Sequence, residues 1–277
     1  MIQAVSSHLH YIATTMSDAF YLFDGDNRFI STEWTTGPWG PDSQHAGPPA
    51  ALLGRFLERV VGRDDMQLVR ATFEILRPIP IAPLQVGAEV TRPGKSVTLA
   101  TATLSADDGG VMRANGWLIR RGDDLGLPHI VAADPPAQGP DAGDSVDLLP
   151  TGGVSYLTAM EWRFIKGMFL EQGPATAWAR MRIPLIADEE ITPLSRALVL
   201  ADSGNGISSA LDFDNWIFIN CDLTVYMHRL PVDEWVCLDA ATTIEPSGIG
   251  LATSVLSDEE GVIGRGLQAL FVGPRRR

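Results

Sequence analysis

Leu99-Ala-Thr-Ala-Thr-Leu-Ser-Ala-Asp-Asp-Gly109 is answered by Leu251-Ala-Thr-Ser-Val-Leu-Ser-Asp-Glu-Glu-Gly261, an offset of 152 residues. Extended without a gap to 99–120 against 251–272, eight of 22 positions are identical, where unrelated stretches of average composition give about one or two. The same offset carries Thr72 onto Thr224, Arg77 onto Arg229 and Arg113 onto Arg265. Two copies of half a chain mean two similar domains in tandem, not a solenoid of short units. Any difference between the copies is then a clue to where chemistry resides.

Working outward, each copy reads as short strands, one helix and then three or four strands. In the first, Tyr21 to Trp34 alternates around Asp24-Gly25, a helix spans Pro48 to Val61, and strands follow near 68–76, 84–92, 96–106 and 111–120. In the second, strands are expected near 160–168 and 175–183. Thr192-Pro193 is a helix start, a capping hydroxyl followed by the residue best tolerated at the first helical position. Leu194, Ala197, Leu198 and Ala201 recur at the spacing of a face pressed on a sheet, while Gly204 and Gly206 terminate or kink the helix, or admit a close neighbour. Strands near 216–228, 234–244, 248–257 and 262–272 complete the copy, with Asp258-Glu-Glu-Gly261 as a tight turn. One helix and a run of antiparallel strands, repeated, define an α+β fold in which each sheet curls around its own long buried helix. Gly, Pro and Asp crowd between the copies, so the expected division is 1–121, a linker over 122–155, and 156–277.

A net charge of −13, with a basic run confined to Arg275, Arg276 and Arg277, argues against nucleic acid, which needs a concentrated positive surface. No apolar stretch approaches the ~20 residues of a membrane helix, and the first ten residues lack the pattern of an export signal, so a cytoplasmic protein is expected. Cys221 and Cys237 read as reduced core residues in apolar strands. The five histidines, His8 and His10 among them, show no metal-ligand spacing, so no metal is expected. Nucleophile-elbow, dinucleotide and nucleotide-triphosphate motifs are all missing.

Asp222-Leu-Thr-Val-Tyr-Met-His-Arg229, Asp233-Glu-Trp235, Gly248-Ile-Gly250 and Gly264-Arg-Gly-Leu-Gln268 resemble the fused double hot dog acyl-CoA thioesterases of the thioesterase II type. The resemblance implies a tandem hot dog, hydrolysis of fatty acyl-CoA to free acid and CoA, no separate cofactor, and further association into a homo-oligomer. It also implies that carboxylate and amide side chains act on water.

On that basis Asp202 is the expected general base, and the offset replaces it by Ala50 in the first copy. Gln268, flanked by Gly264 and Gly266 and replaced by Gly116, shares a strand face with Leu270 and Val272 and would position water and the thioester carbonyl. Asn220 stands where the family typically places a threonine; it can still donate and accept. Asp222 and Thr224 share Asn220's strand parity and are the runners-up for its place. Ahead of the first helix, His45, Ala46 and Gly47 would supply a helper imidazole and free N–H groups for a developing oxyanion. Two other readings use the same residues: a non-catalytic acyl-CoA or acyl-carrier binding protein, and a hot dog hydratase.

Overall fold

The computed structural model describes residues 18–122, 125–130, 138–146 and 153–275. His8, His10, Arg276, Arg277 and parts of the expected linker lie outside the described residues. The first half contains β1 (Tyr21–Phe23), β2 (Arg28–Ser31), α1 (Gly47–Val61), β3 (Met66–Ile75), β4 (Pro83–Arg92), β5 (Val97–Ala106) and β6 (Gly109–Arg120). Then come β7 (Asp144–Ser145), α2 (Tyr156–Ala159), β8 (Met160–Lys166), β9 (Ala175–Met181), α3 (Pro193–Ala201), α4 (Gly204–Ile207), β10 (Trp216–Asn220), β11 (Asp222–Met227), β12 (Val236–Glu245), β13 (Ile249–Asp258) and β14 (Gly261–Pro274).

The quoted stretches are hairpin arms, β5 leading into β6 and β13 into β14. Gly109 and Gly261 sit at the matched turns with φ of 116° and 133°, a backbone region that disfavours a Cβ. All strands join one 14-stranded sheet in the order β1-β2-β4-β5-β6-β3-β11-β14-β13-β12-β9-β8-β7, with β10 on β14. The halves meet at the antiparallel pair β3 and β11, where Thr72 lies opposite Thr224 and their hydroxyls hydrogen-bond at 3.1 Å. Residues related by the offset thus face each other, which puts a local two-fold axis between the threonines. A second tie runs from the far edge: Tyr21 pairs in parallel with Ile186, and Phe20 N–H donates to Pro184 O at 3.1 Å.

Each half curls over its helix as expected. α1 buries Ala50, Leu52, Leu53, Phe56 and Leu57 against β3–β6, while α3 and α4 pack on β9 and β11–β14. The two helices also cross, so closely that a Cβ on Gly54 would stand 2.3 Å from Leu198 Cδ1.

Four local expectations change. Among the described residues the second half has no long helix: it breaks at Asp202-Ser203, just before Gly204 and Gly206, into α3 and the single turn α4. The strand expected over 216–228 is split at Cys221. Asn220 faces Leu270 and Thr224 faces Leu267, so β10 and β11 carry one residue more than β14 between these pairs. This bulge turns Cys221 outward, so that it is exposed where a core position was expected, whereas Cys237 is buried. Residues 138–146, inside the expected linker, lie along the second half: Trp178 Nε1 donates to Gln138 O at 3.0 Å and β7 pairs with β8.

Candidate active site

Asp202 is the residue at which α3 ends, and the N-terminus of α1 abuts it. A Cβ on Gly47 would come within 2.2 Å of Val199 O, so glycine permits this approach. The Asp202 side chain is 4% exposed. A carboxylate at a helix C-terminus opposes that helix's dipole, but the Ala46 and Gly47 N–H groups of the facing N-terminus lower its pKa. The amides expected to hold an oxyanion thus act on Asp202, and that of Gly47 hydrogen-bonds to His45 Nδ1.

The expected trio converges. Asn220 Nδ2 donates to Asp202 Oδ1 at 2.8 Å, and Gln268 Nε2 donates to the same oxygen at 3.2 Å and to the Asp202 carbonyl at 3.0 Å. Asn205, which no sequence signal singled out beyond its place between Gly204 and Gly206, completes the set. Its backbone N–H donates to Gln268 Oε1 at 3.0 Å and its Nδ2 to Phe218 O at 3.2 Å. A Cβ on Gly204 would lie 2.8 Å from Gln268 Oε1, so the close-neighbour role of that glycine is the one realised.

The runners-up stand elsewhere. Asp222 Oδ1 accepts from Ala269 N–H at 2.7 Å and so secures the bulge, and Thr224 occupies the local axis. Their parity with Asn220 is undone by the extra residue at Cys221: Asn220 shares the inward face with Leu223 and Val225.

His45 reaches Asp202 from the other half, with Nδ1 3.3 Å from Oδ2. Burial lowers the imidazole to about 3, so the contact is not an ion pair near neutral pH. The Gly47 N–H donates to Nδ1 at 3.1 Å, which favours the neutral tautomer with its proton on Nε2. The ring stacks on Tyr156 with centroids 3.7 Å apart and planes within 6°. Tyr156 is held in turn through hydrogen bonds from its hydroxyl to Val199 O at 3.0 Å and with Ser203 Oγ at 2.8 Å. Nothing in the sequence linked Tyr156 to His45.

Burial pushes the Asp202 carboxyl up to about 7, against the lowering by Asn220, the Ala46 N–H, Gln268 and the Gly47 N–H. The carboxyl therefore lies near its midpoint at neutral pH, where a general base is most effective. Asp202, His45, Ala46, Asn205 and Asn220 line a cavity of about 330 Å³ whose apolar wall includes Trp39, Ile79, Phe213, Ile219 and Phe271, a size at the small end of ligand pockets. Gln268 does not line it and stands behind Asp202. Asn220 spends its amide hydrogens on Asp202 Oδ1 and Asp222 O, leaving Oδ1 as an acceptor for the cavity.

Among the described residues the first half has no such centre. A Cβ on Gly116 would meet Leu57 Cδ1 and Leu68 Cδ1 at 2.7 Å each, so leucines fill the space that amides occupy around Gln268.

Two paired curled sheets, each on a helix, with a buried carboxylate at their junction, define a tandem hot dog enzyme. Residues 35–119 match the acyl-CoA thioesterase N-terminal domain and residues 132–272 the acyl-CoA thioesterase C-terminal domain. The chain belongs to this acyl-CoA thioesterase family and is a thioester hydrolase. No curated protein matches it significantly. Among solved structures, one described as a candidate thioesterase II of Thermobifida fusca YX has a TM-score of 0.73 at 16% identity, covering 91% of this chain and 95% of that one. The acyl-CoA thioesterase II TesB2 of Mycobacterium marinum has a TM-score of 0.63 at 14% identity, covering 90% and 92%. A hot dog protein of Alicyclobacillus acidocaldarius has a TM-score of 0.72 at 15% identity, covering 92% and 96%. At these identities the likeness is one of fold. Among the described residues no helix is long and apolar enough to cross a membrane.

Proposed function

We propose that the chain hydrolyses acyl-CoA by general-base activation of water at Asp202. The supporting observation is a buried carboxyl held near pH 7 on the wall of a cavity. Water donates one hydrogen to Asp202 and the other to Asn220 Oδ1, and its oxygen attacks the thioester carbonyl carbon. Asp202 takes the proton. The oxyanion collapses, the C–S bond breaks, and the CoA thiolate leaves with the proton returned by Asp202.

The oxyanion is met by His45. With Nδ1 occupied by the Gly47 N–H, the ring's remaining donor is Nε2–H, and a neutral imidazole keeps that proton throughout. Gln268 and Asn205 act one layer back, fixing the rotamer of Asp202. The acyl group lies against Trp39, Ile79, Phe213 and Phe271, and the cavity volume favours short or medium acyl chains.

Thiol release from acyl-CoAs of graded length tests the reading. Asp202→Asn should lower kcat by about 100-fold or more with KM little changed, and the parent kcat/KM should rise with pH through about 7 as Asp202 ionises. Full activity in Asp202→Asn sinks the mechanism. Binding without thiol release by the parent protein would favour the scaffold reading.

A further inference from the structure

The offset that maps one half onto the other also maps the mouth of the catalytic cavity onto a second concavity. Ile75, Arg77, Cys221 and Phe271 line the first; their counterparts Met227, Arg229, Val69 and Ile119 line a groove of about 1610 Å³ that shares no residue with it. In the groove's half the position of Asn220 is taken by buried Leu68, so the concavity has no polar passage inward of the catalytic kind.

What remains there has its own chemistry. Arg113 in the first half is paired with Glu74, but the residue equivalent to Glu74 is Tyr226, so Arg265, equivalent to Arg113, has no carboxylate. Among the described residues Arg265 has no side-chain hydrogen bond or ion pair. Across the junction Arg70 lies opposite Tyr226, gives Nη1 to Thr72 Oγ1 at 2.9 Å, and keeps a buried Nε with no partner. Arg229 is already committed to Asp258, and among the described lining residues Glu260 is the one acidic side chain. Tyr226 is 52% exposed, whereas Trp117, opposite Arg70 in the β3–β6 register, has the Arg92 guanidinium 5.7 Å from its ring centroid. Arg265, with no side-chain partner among the described residues, and Arg70, bonded through Nη1, flank the exposed Tyr226 in the register, a concentration of positive charge on a chain of net charge −13.

We propose that this groove is a second, non-hydrolytic site that binds a purine nucleotide bearing at least two phosphates. The base stacks on Tyr226, and the phosphates take charge-assisted hydrogen bonds from Arg265 and Arg70, which flank that ring in the register. Free CoA carries this chemistry on its adenosine 3′,5′-bisphosphate end, and a free adenosine diphosphate carries it too.

Calorimetric titration of the full chain with adenosine 3′,5′-bisphosphate is the test, with free CoA and ADP run alongside to tell the two sources apart. We expect one saturable site, weakened at least tenfold by Arg265→Ala and by Tyr226→Ala, weakened by salt, and unaffected by Asp202→Asn. Hydrolysis of an acyl-pantetheine, which lacks the nucleotide, should be unchanged in Arg265→Ala. Three results would overturn the proposal. The parent protein could show no saturable binding. Arg265→Ala could raise the KM for acyl-CoA as much as it weakens the nucleotide, which would assign the groove to the substrate's own tail. The variant could change the mass of the assembly in solution, which would assign the groove to a second copy. Arg265 is exposed, so its truncation leaves the core intact, and matching thermal melts verify that.

Discussion

At position 202 the second half carries a carboxyl where the first carries Ala50, and burial holds it at about 7 in place of 3.8. The neutral acid is thereby favoured in the folded state, so its contribution to stability is complete below about pH 4 and is lost as pH rises through about 7. At 1.36 kcal/mol per unit the loss is ~4 kcal/mol. His45 has the opposite sign: its contribution is complete above about 6.5 and is lost as pH falls toward about 3. Between about pH 4 and 6.5 the two slopes oppose each other. Asp202→Asn removes one of them, so urea unfolding should show the variant gaining on the parent protein from pH 4 to pH 8, by up to ~4 kcal/mol. A difference that does not vary with pH would discard the buried-charge account.

The site depends on two elements ending against each other. The N-terminus of α1 can approach the C-terminus of α3 because Gly47 has no side chain, and the obstacle to one is the backbone oxygen of Val199, which cannot rotate away. Gly47→Ala should therefore push the helices apart, lower unfolding free energy by roughly 1–3 kcal/mol, and reduce kcat by withdrawing the Ala46 and Gly47 amides from Asp202. Denaturant unfolding and thiol-release kinetics on the same variant check both effects; loss of stability at parent kcat would show that those amides do not tune the base. Much at this scale was legible in the sequence. The Thr192-Pro193 start, the glycines after Ala201 and the inward parity of Gln268 follow from local rules, and all three hold. The bulge at Cys221 was not legible, because an extra residue in one strand shows only against its partner, and without it Asp222 and Thr224 seem to share Asn220's face. The stacking of His45 on Tyr156 joins residues from opposite halves, and periodicity carries no information about such a contact.

Over the whole molecule the repeat located the junction without revealing its form. Identity at offset 152 implied two related units, and the pairing of Thr72 with Thr224 shows that they meet as the subunits of a two-fold dimer would. The continuous ladder from β3 to β11, together with the Phe20–Tyr21 contacts to Pro184–Ile186, holds the halves independently of the chain between them. A protease site inserted between residues 131 and 137 should, once cut, give two fragments that co-elute and still hydrolyse thioester. Activity is a strict reporter, since His45 and Asp202 would then lie on separate polypeptides. Fragments that separate on a sizing column would show that the covalent link is required. In a homodimer, any change beside the two-fold axis is made twice, so a carboxylate gained on one side is gained on the other as well. Joining the partners into one gene removes that constraint. One copy can then fill its interior with leucines while the other keeps its amides, and the surface above the filled interior can carry a chemistry of its own.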